Sequence, residues 1–264
     1  MIARSLIILV LAASLAQSGE PKTDDAAAKA KTAVEKQLKD WKADAANSAV
    51  IDEKYVRDVF PGHTFVAVRF PLFPVQRIPP EPLKSQNLFA VTNDGKVTHL
   101  PDSKKLEEFF KSTLKAQLNQ DKTTRTWLRL RMEYIQDGFY KFKYPEKAVV
   151  TGPGSSLTLV TGVVEVVPEG GNMGSFKAVV RFGRADDFTG VMTEENKVKP
   201  GIRPRCQATL LLHPDPLIRA IAEQDLLVLG RRGHDYLMEQ RAKASAELRR
   251  EIDRVWRQIE EEGR

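Results

Sequence analysis

Four cations near the middle of the chain are the residues whose type and spacing could bind a ligand: Arg129, Arg131, Lys141 and Lys143. The arginines alternate with apolar residues and the lysines alternate with aromatic residues, as residues on the two faces of a strand do. If both segments are strands joined by a hairpin turn at 136–138, the four cations could share one face. Such a face would suit an anionic ligand, either a small molecule or a polyanion. The competing interpretation is an ordinary solvated surface, where charged side chains usually lie.

The segment 127–135 fits a helix as well as a strand. At 100° per residue its large apolar side chains fall on one broad arc, and Arg129 and Glu133 fall on the opposite arc. Possible N-cap residues stand at 121–124, and Gly138 follows where a helix would end. These flanks favour the helix, in which Arg129 would pair with Glu133 four residues later and be largely neutralised.

The residue types that usually carry catalysis form no recognisable pattern. No two of the four histidines are four residues apart, and none lies in a Cys/His cluster, so no zinc site is predicted. Ser112 and Lys115 match the Ser-x-x-Lys pattern of penicillin-recognising enzymes, but no Lys-Thr-Gly follows, and the chain lacks a Gly-x-Ser-x-Gly turn. We expect no catalytic residue, no metal and no cofactor. A hydrolase whose site is assembled only in three dimensions is kept as a second alternative.

The N-terminus carries the most specific pattern in the chain. Arg4 precedes the apolar run 6–13, and Ser14 and Ala16 are the small residues expected before a cleavage point. The run is too short for an ordinary transmembrane helix, and no later segment is long and apolar enough to span a bilayer. We therefore expect residues 1–16 to be a signal peptide. The mature protein would be exported, periplasmic or secreted, without a transmembrane span.

The composition is that of an ordinary globular protein, with 42% hydrophobic and 29% charged residues and a net charge of +6. This mildly basic balance is compatible with an anionic partner, whereas the predicted export makes nucleic acid a poor candidate. The single cysteine, Cys206, predicts a fold without an internal disulfide. An unpaired cysteine of this kind is more often buried than reactive.

The region 50–205 predicts an antiparallel sheet with packed helices. The turn at 93–95 (Asn-Asp-Gly) is a strong hairpin signal, and the region 147–198 reads as a meander of strands with glycine-rich turns. A helix capped by Ser103 would pack on the sheet. The segment 26–46 is either a helix laid on this body or a tether. The order of elements loosely resembles cystatin or NTF2-type architectures.

The chain changes to helix near its C-terminus. Asp215 followed by proline predicts one helix start, Gly230 its end and Ser245 the start of another helix. Shifted by 30 residues, the two longer helices align at six positions: Asp215 on Ser245, Ile218 on Leu248, Arg219 on Arg249, Ala222 on Ile252, Leu226 on Trp256 and Leu229 on Ile259.

This pattern of cap, aliphatic–arginine pair and spaced apolar residues resembles the second helix of a HEAT-type repeat. The resemblance covers about 213–262 and amounts to one and a half units. It implies a stacked helical layer of the kind used for protein contacts, with Arg219 and Arg249 on its exposed surface. Because about three repeats are needed for independent stability, we expect these helices to pack on the body.

These observations predict an α+β protein with four parts: a signal peptide (1–16), a leader with an N-terminal helix (17–49), an α+β body (50–205) and a helical HEAT-like cap (206–264). The expected function is that of an exported, non-enzymatic interaction or scaffold protein of the cell envelope, whose partner is another envelope protein. The alternative is a module that binds a small ligand or a polyanion through the basic face.

Overall fold

The computed structural model describes residues 23–43, 47–70, 72, 78–153, 157–168, 171–201, 203 and 207–264. Over these ranges the protein is an α+β structure with antiparallel sheets and C-terminal helices, as the sequence predicted. The predicted signal peptide and Cys206 lie outside the described residues. Within them, none of the helices has the length and apolar character needed to cross a bilayer.

The strands form two antiparallel sheets rather than the single sheet that was expected. Sheet A has the order β1-β2-β3-β4, and sheet B has the order β5-β7-β8-β9, with β6 also paired to β7. The strands are β1 Asn47–Ile51, β2 His63–Arg69, β3 Gln86–Thr92, β4 Val97–Leu100, β5 Phe142–Lys143, β6 Val149–Pro153, β7 Thr158–Val166, β8 Ser175–Phe182 and β9 Phe188–Asn196.

Helices precede, separate and follow the two sheets. The α-helices are α1 Thr23–Asp40, α2 Lys54–Val59, α3 Ser103–Thr113, α4 Gln120–Met132, α5 Pro216–Leu229, α6 His234–Lys243 and α7 Ala246–Glu261. Two 3-10 helices, Ala208–Leu212 and Gly230–Gly233, flank α5. The predicted cap of α3 is wrong by one residue, because the side chain of Asp102 accepts the hydrogen bond from the backbone N–H of Lys105.

Sheet A is buried on both faces, which explains why its central strands are almost continuously apolar. One face packs against α1 through Val66, Val68, Phe89 and Val91, and the other contributes Phe65, Ala67, Leu88 and Ala90 to the main core. The ring of Trp41, just after α1, lies 6.1 Å from the ring of Phe89 and 5.4 Å from that of His99. The N-terminal helix is therefore laid on the body, the first of the two alternatives.

The segment 127–135, whose sequence fits both a helix and a strand, forms the second half of α4 and the turn after it. The side chain of Asn119 caps this helix by accepting a hydrogen bond from the backbone N–H of Lys122, so the predicted caps at 121–124 are wrong. Helix α4 contacts α2 and β7 and belongs to the core shared by both sheets. It is therefore buried almost all round: Thr123, Thr124, Thr126, Trp127, Leu128, Leu130 and Met132.

Gly162 on β7 is where α4 approaches sheet B closely. A Cβ at this position would overlap Leu128 Cδ1 and stand 3.3 Å from Thr124 Cγ2. Both α4 side chains are fully buried, so neither can move into solvent. We expect Gly162→Ala to lower the free energy of unfolding by about 1–3 kcal/mol through overpacking, as measured by urea denaturation. The control is Gly62→Ala, because a Cβ at Gly62 would meet no atom within 4 Å; an equal loss in both variants would contradict this explanation.

The turn predicted at 93–95 is confirmed between β3 and β4. The backbone N–H of Gly95 donates to the carbonyl of Thr92 over 2.8 Å, and that of Thr92 donates to the carbonyl of Lys96 over 3.0 Å. Gly95 has a φ of 87°, which an L side chain rarely adopts.

The two edges of sheet B are irregular. On one side, β5 has two residues and β6 has five, and both pair with β7. On the other side, the register of β9 against β8 shifts twice. The outer part of β9 carries Glu194, whose side chain is mostly covered, and the exposed carboxylate of Glu195.

The C-terminal helices have a hydrophobic core of their own. It contains Ala208, Leu211, Ala222, Leu226, Leu227, Leu229, Tyr236, Leu237, Leu248, Ile252, Val255 and Ile259. We expected these helices to bury their apolar faces on the body. Instead they bury them among themselves, because the 3-10 helix Ala208–Leu212 adds a further layer, and Phe139 of the body packs against this core.

The capping signals predicted for these helices are confirmed. The side chain of Asp215 accepts from the backbone N–H of Leu217, that of Ser245 accepts from the backbone N–H of Leu248, and Gly230 ends α5 with a φ of 61°. The likeness of α5 and α7 to HEAT-type repeats stays a prediction.

Candidate functional site

The four predicted cations do not form the basic hairpin face. Arg129 and Arg131 lie on α4, which is a helix, so these residues two apart point in directions about 160° apart. Lys141 precedes β5 and Lys143 ends it. The hypothesis that a hairpin of two strands places the four cations on one face is therefore wrong.

Arg129 belongs to a largely buried ion cluster. Its guanidinium pairs with Glu53 and, over 2.5 Å, with Glu133 Oε1, so the pair expected four residues apart on a helix is confirmed. The other oxygen of Glu133 accepts from Arg69 Nη2, also over 2.5 Å. Burial alone would raise the pKa of the Glu133 carboxyl, but the guanidiniums of Arg69 and Arg129 outweigh burial and hold that pKa below its usual value.

Arg131 is neutralised on the opposite side of α4. Its Nε lies 3.0 Å from Glu194 Oε2, and Glu194 Oε1 also accepts from the indole N–H of Trp127 over 3.1 Å. The guanidinium lies 5.3 Å from the ring centre of Phe176. These contacts assign both arginines a structural role in joining α4 to its neighbours.

A junction loop, residues 136–140, connects α4 to β5 and contacts the C-terminal helices through Phe139. The side-chain oxygen of Gln136 accepts from the backbone N–H groups of Gly138 and Tyr140, over 3.0 and 3.2 Å. Its amide nitrogen donates to the carbonyl of Tyr140 over 3.0 Å. One glutamine side chain therefore holds the loop in a single closed turn.

A second set of hydrogen bonds ties the junction loop to the segment that leads into the C-terminal helices. Buried Asn172 donates to the carbonyl of Phe139 and accepts from the backbone N–H of Gly201 and from Arg203 Nη1, each over 2.9 Å. Arg203 Nε donates to Asp137 Oδ2 over 2.6 Å. The Arg203 guanidinium also lies 4.9 Å from the ring centre of Tyr140.

Beside the junction loop lies a cavity of about 500 Å³, here called the basic cleft. Its cationic lining is Lys141 from the body and Arg231 and Arg232 from the 3-10 helix after α5. The remaining lining residues are Gly138, Phe139, Tyr140, His234, Asp235, Trp256 and Glu260. A neighbouring cavity of about 670 Å³ shares the same three cations. Of the four predicted cations, Lys141 is the one that lines these cavities.

The predicted interaction residues Arg219 and Arg249 are exposed on α5 and α7. Arg219 Nη1 donates to the carbonyls of His213 and Pro214 over 2.6 and 2.9 Å, and Arg249 Nε donates to the carbonyl of Arg241 over 3.2 Å. Both therefore brace the segment that precedes their own helix. Their role in binding a partner stays a prediction.

Helix α5 exposes an aliphatic stripe on the side that faces away from the C-terminal core. The exposed fractions of Leu217, Ile221 and Val228 are 66%, 53% and 47%. These residues are four and eleven positions apart, so they lie within about 40° of one another around the helix. The opposite side of α5 is buried through Ala222 and Leu226.

No family model, curated protein or solved structure matches the chain. Over the described ranges, no group of three or more His, Cys, Asp or Glu side chains is placed to hold a metal ion. The function must therefore be inferred from the surfaces themselves.

The sequence had pointed to neither Arg231 and Arg232 nor the stripe on α5. The doublet Arg231-Arg232 between Gly230 and Gly233 was a usable signal, because two glycines mark a tight connection that brings adjacent cations close to the next element. The stripe was hidden because α5 is apolar on both sides, so periodicity could not say which side is buried.

Proposed function

We propose that this chain is an exported, non-enzymatic interaction protein of the cell envelope, which binds another envelope protein through the aliphatic stripe of α5. The exposure of Leu217, Ile221 and Val228 is the observation that carries the proposal. Leu217 and Ile221 are adjacent on this side of α5, and Val228 lies about two turns further on, beyond the exposed Gln224. Exposed aliphatic residues grouped on one side of a helix are typical of contact surfaces. The stripe extends about 16 Å along α5, the length over which two packed helices interdigitate.

The chemistry of the stripe defines the partner. An aliphatic ridge with residues four apart fits an apolar groove or a second helix with the complementary spacing. The arginines 219 and 249 lie on exposed positions of the same helical part and would belong to a polar rim around the apolar contact. The HEAT-like pattern also implies contact with a further helix, because in a stacked helical layer each unit packs against its neighbour.

The test is affinity capture with crosslinking from an envelope extract, using the mature protein as bait. In the double variant Leu217→Glu/Ile221→Glu, we expect the affinity for the captured partner to fall about tenfold or more, because two desolvated aliphatic contacts are replaced by charges. The matched control is Met192→Glu, an exposed apolar residue on β9, far along the chain from the stripe. Circular dichroism of both variants checks that the fold is intact.

Two results would contradict the proposal. One is a partner that stays bound to the double variant and to the control alike. The other is a partner that is lost equally from both, because that would show a general effect of added negative charge.

A further inference from the structure

A further cavity, of about 280 Å³, lies where one end of sheet A faces α6 and the junction loop. It is here called the strand-end pocket. Its wall on the sheet side is formed by Asn47, Arg69 and Gln86, and its wall on the helix side by Asp235 and Glu239. Arg69, Gln86 and Glu239 do not line the basic cleft, so the two cavities are chemically different.

The three residues of the sheet wall form a row across adjacent strands. Asn47 on β1 is paired with Arg69 on β2, which is paired with Gln86 on β3. Residues paired in this way point to the same face of a sheet, and neighbouring strands are about 4.8 Å apart. Further along the same strands this face carries Phe65 and Leu88 of the main core. The row is therefore the polar end of a face that is otherwise apolar.

The sheet wall has hydrogen-bond donors that the protein does not use. Arg69 donates to Glu133 through Nε and Nη2, and its side chain is 29% exposed. Its Nη1 has no acceptor in the part of the chain that the structure describes, and it is not enclosed. The side-chain amide of Gln86 likewise makes no hydrogen bond to a described residue and is not enclosed. A carboxylate at this wall would accept from both side chains.

The helix wall has acceptor oxygens. Asp235 and Glu239 are four residues apart on α6, so they lie on one side of the helix. Glu239 Oε2 accepts from Asn47 Nδ2 over 3.2 Å, which holds this carboxylate at the edge of the pocket, and Glu239 Oε1 pairs with Lys243. Asp235 contacts only His234, and its side chain is 80% exposed. An ionised carboxylate has about four acceptor sites, so both residues can also accept from an ammonium group.

The two walls do not neutralise each other. Arg69 pairs with Glu133, and among the described residues neither Asp235 nor Glu239 pairs with it. A ligand with a carboxylate at one end and an ammonium at the other would satisfy both walls at once. A ligand with a single charge would match one wall and leave the groups of the other without a partner.

The size and the remaining lining of the pocket limit the ligand further. A volume of about 280 Å³ corresponds to roughly nine water molecules, which suits one free amino acid rather than a longer peptide. Phe70, Phe139 and Tyr236 complete the lining and add apolar surface. This surface favours an aliphatic side chain on the ligand.

We infer that the strand-end pocket binds a free α-amino acid with an aliphatic side chain. Its carboxylate accepts from Arg69 and Gln86, and its ammonium donates to Asp235 and Glu239. The site is separate from the aliphatic stripe of α5 and does not depend on the proposed docking function. Because sheet A supplies one wall and α6 the other, the ligand contacts both the body and the C-terminal helices.

The test is isothermal titration calorimetry of the mature protein with three probes of similar shape: L-leucine, 4-methylpentanoate, which lacks the ammonium, and 3-methylbutylamine, which lacks the carboxylate. We expect leucine to bind about tenfold or more tightly than either of the other two. Each of them loses charged hydrogen bonds at one wall of the pocket.

Two variants identify the walls. Asp235→Asn, at an exposed side chain, should weaken leucine binding several-fold without weakening that of 4-methylpentanoate. Gln86→Ala should weaken leucine and 4-methylpentanoate but not 3-methylbutylamine. Arg69 is kept, because its loss would also leave Glu133 without a partner. The matched control is Glu247→Gln, an exposed carboxylate of α7 outside the pocket, which should bind leucine as the wild type does.

Three outcomes would overturn the inference. One is the absence of leucine binding to the wild type at millimolar concentration. Another is leucine binding no tighter than that of 4-methylpentanoate or 3-methylbutylamine, because the pocket would then recognise one charge only. The last is a loss of leucine affinity in Asp235→Asn and Gln86→Ala that is no larger than the loss in Glu247→Gln.

Discussion

Replacing Glu133 by glutamine will lower the free energy of unfolding by about 3–5 kcal/mol, because one change leaves two guanidiniums without their shared carboxylate. Glu133 is only 4% exposed and accepts from both Arg69 and Arg129. After the substitution Arg129 keeps Glu53, but Arg69 loses the partner that ties the end of β2 to the end of α4. Urea denaturation followed by circular dichroism measures the loss.

The same residue predicts a pH dependence. The folded protein holds the pKa of Glu133 below its usual value, so the unfolded chain binds this proton first as the pH falls. The stabilisation is therefore complete above a pH of about 4.3, the value for an unperturbed glutamate, and is lost as the pH falls through the folded value. Burial also lowers the pKa of His99 to about 4, which acts in the same direction. The contribution of Glu133 must be taken as the difference between wild type and Glu133→Gln at each pH.

Glu108→Gln is the matched control for this prediction. Glu108 pairs with Lys105 three residues earlier on α3, and both side chains are largely exposed. Exposed pairs of this kind contribute little, so we expect an unchanged denaturation midpoint. A loss in Glu133→Gln no larger than in Glu108→Gln would show that the ion cluster does not hold α4 against sheet A.

Trp127→Ala is expected to lower the free energy of unfolding by about 3–5 kcal/mol, the range for removing a large aromatic side chain from a packed core. Trp127 is 1% exposed, and its ring lies 5.3 Å from that of Phe110 and 6.1 Å from that of Phe188. The substitution would leave a cavity between α3, α4 and β9. Thermal and urea denaturation, each followed by circular dichroism, measure the effect.

Two further variants separate the causes. Trp127→Phe keeps most of the ring volume but removes the indole donor to Glu194, which retains Arg131 as its partner. We expect Trp127→Phe to lower the free energy of unfolding much less than Trp127→Ala does. Trp256→Ala removes a tryptophan that is only partly buried and should also cost less. An equal loss at Trp127 and Trp256 would contradict the central position assigned to α4.

The features that the sequence predicted correctly are those set by neighbouring residues. Asp215 and Ser245 cap helices through donors two and three residues away, and the turn at 93–95 depends on the positive φ of Gly95. An interaction between residues two or three positions apart can be predicted from a single sequence, because the same few backbone angles place both the capping side chain and the N–H donor. The α+β class followed from the sum of such local signals.

The features that the sequence did not predict depend on distant pairs. The ion cluster joins Glu133 to Arg69, 64 residues earlier, and the junction joins Asp137 to Arg203, 66 residues later. Nothing local in the sequence shows that Glu133, on what looked like the polar arc of a helix, has a second partner on β2, or that Arg129 also pairs with Glu53 before α2. For the same reason the strands could be recognised, but their division into two sheets could not.

The irregular edges of sheet B bear on how the protein behaves at high concentration. A regular free edge can pair with the edge of another molecule and so begin aggregation. On β9 the two register shifts interrupt the ladder, and the exposed carboxylate of Glu195 would be placed near that of a second copy. On the other side, β6 and the two-residue β5 occupy successive parts of β7, so neither offers a long template. Both edges of sheet B therefore disfavour strand pairing between molecules.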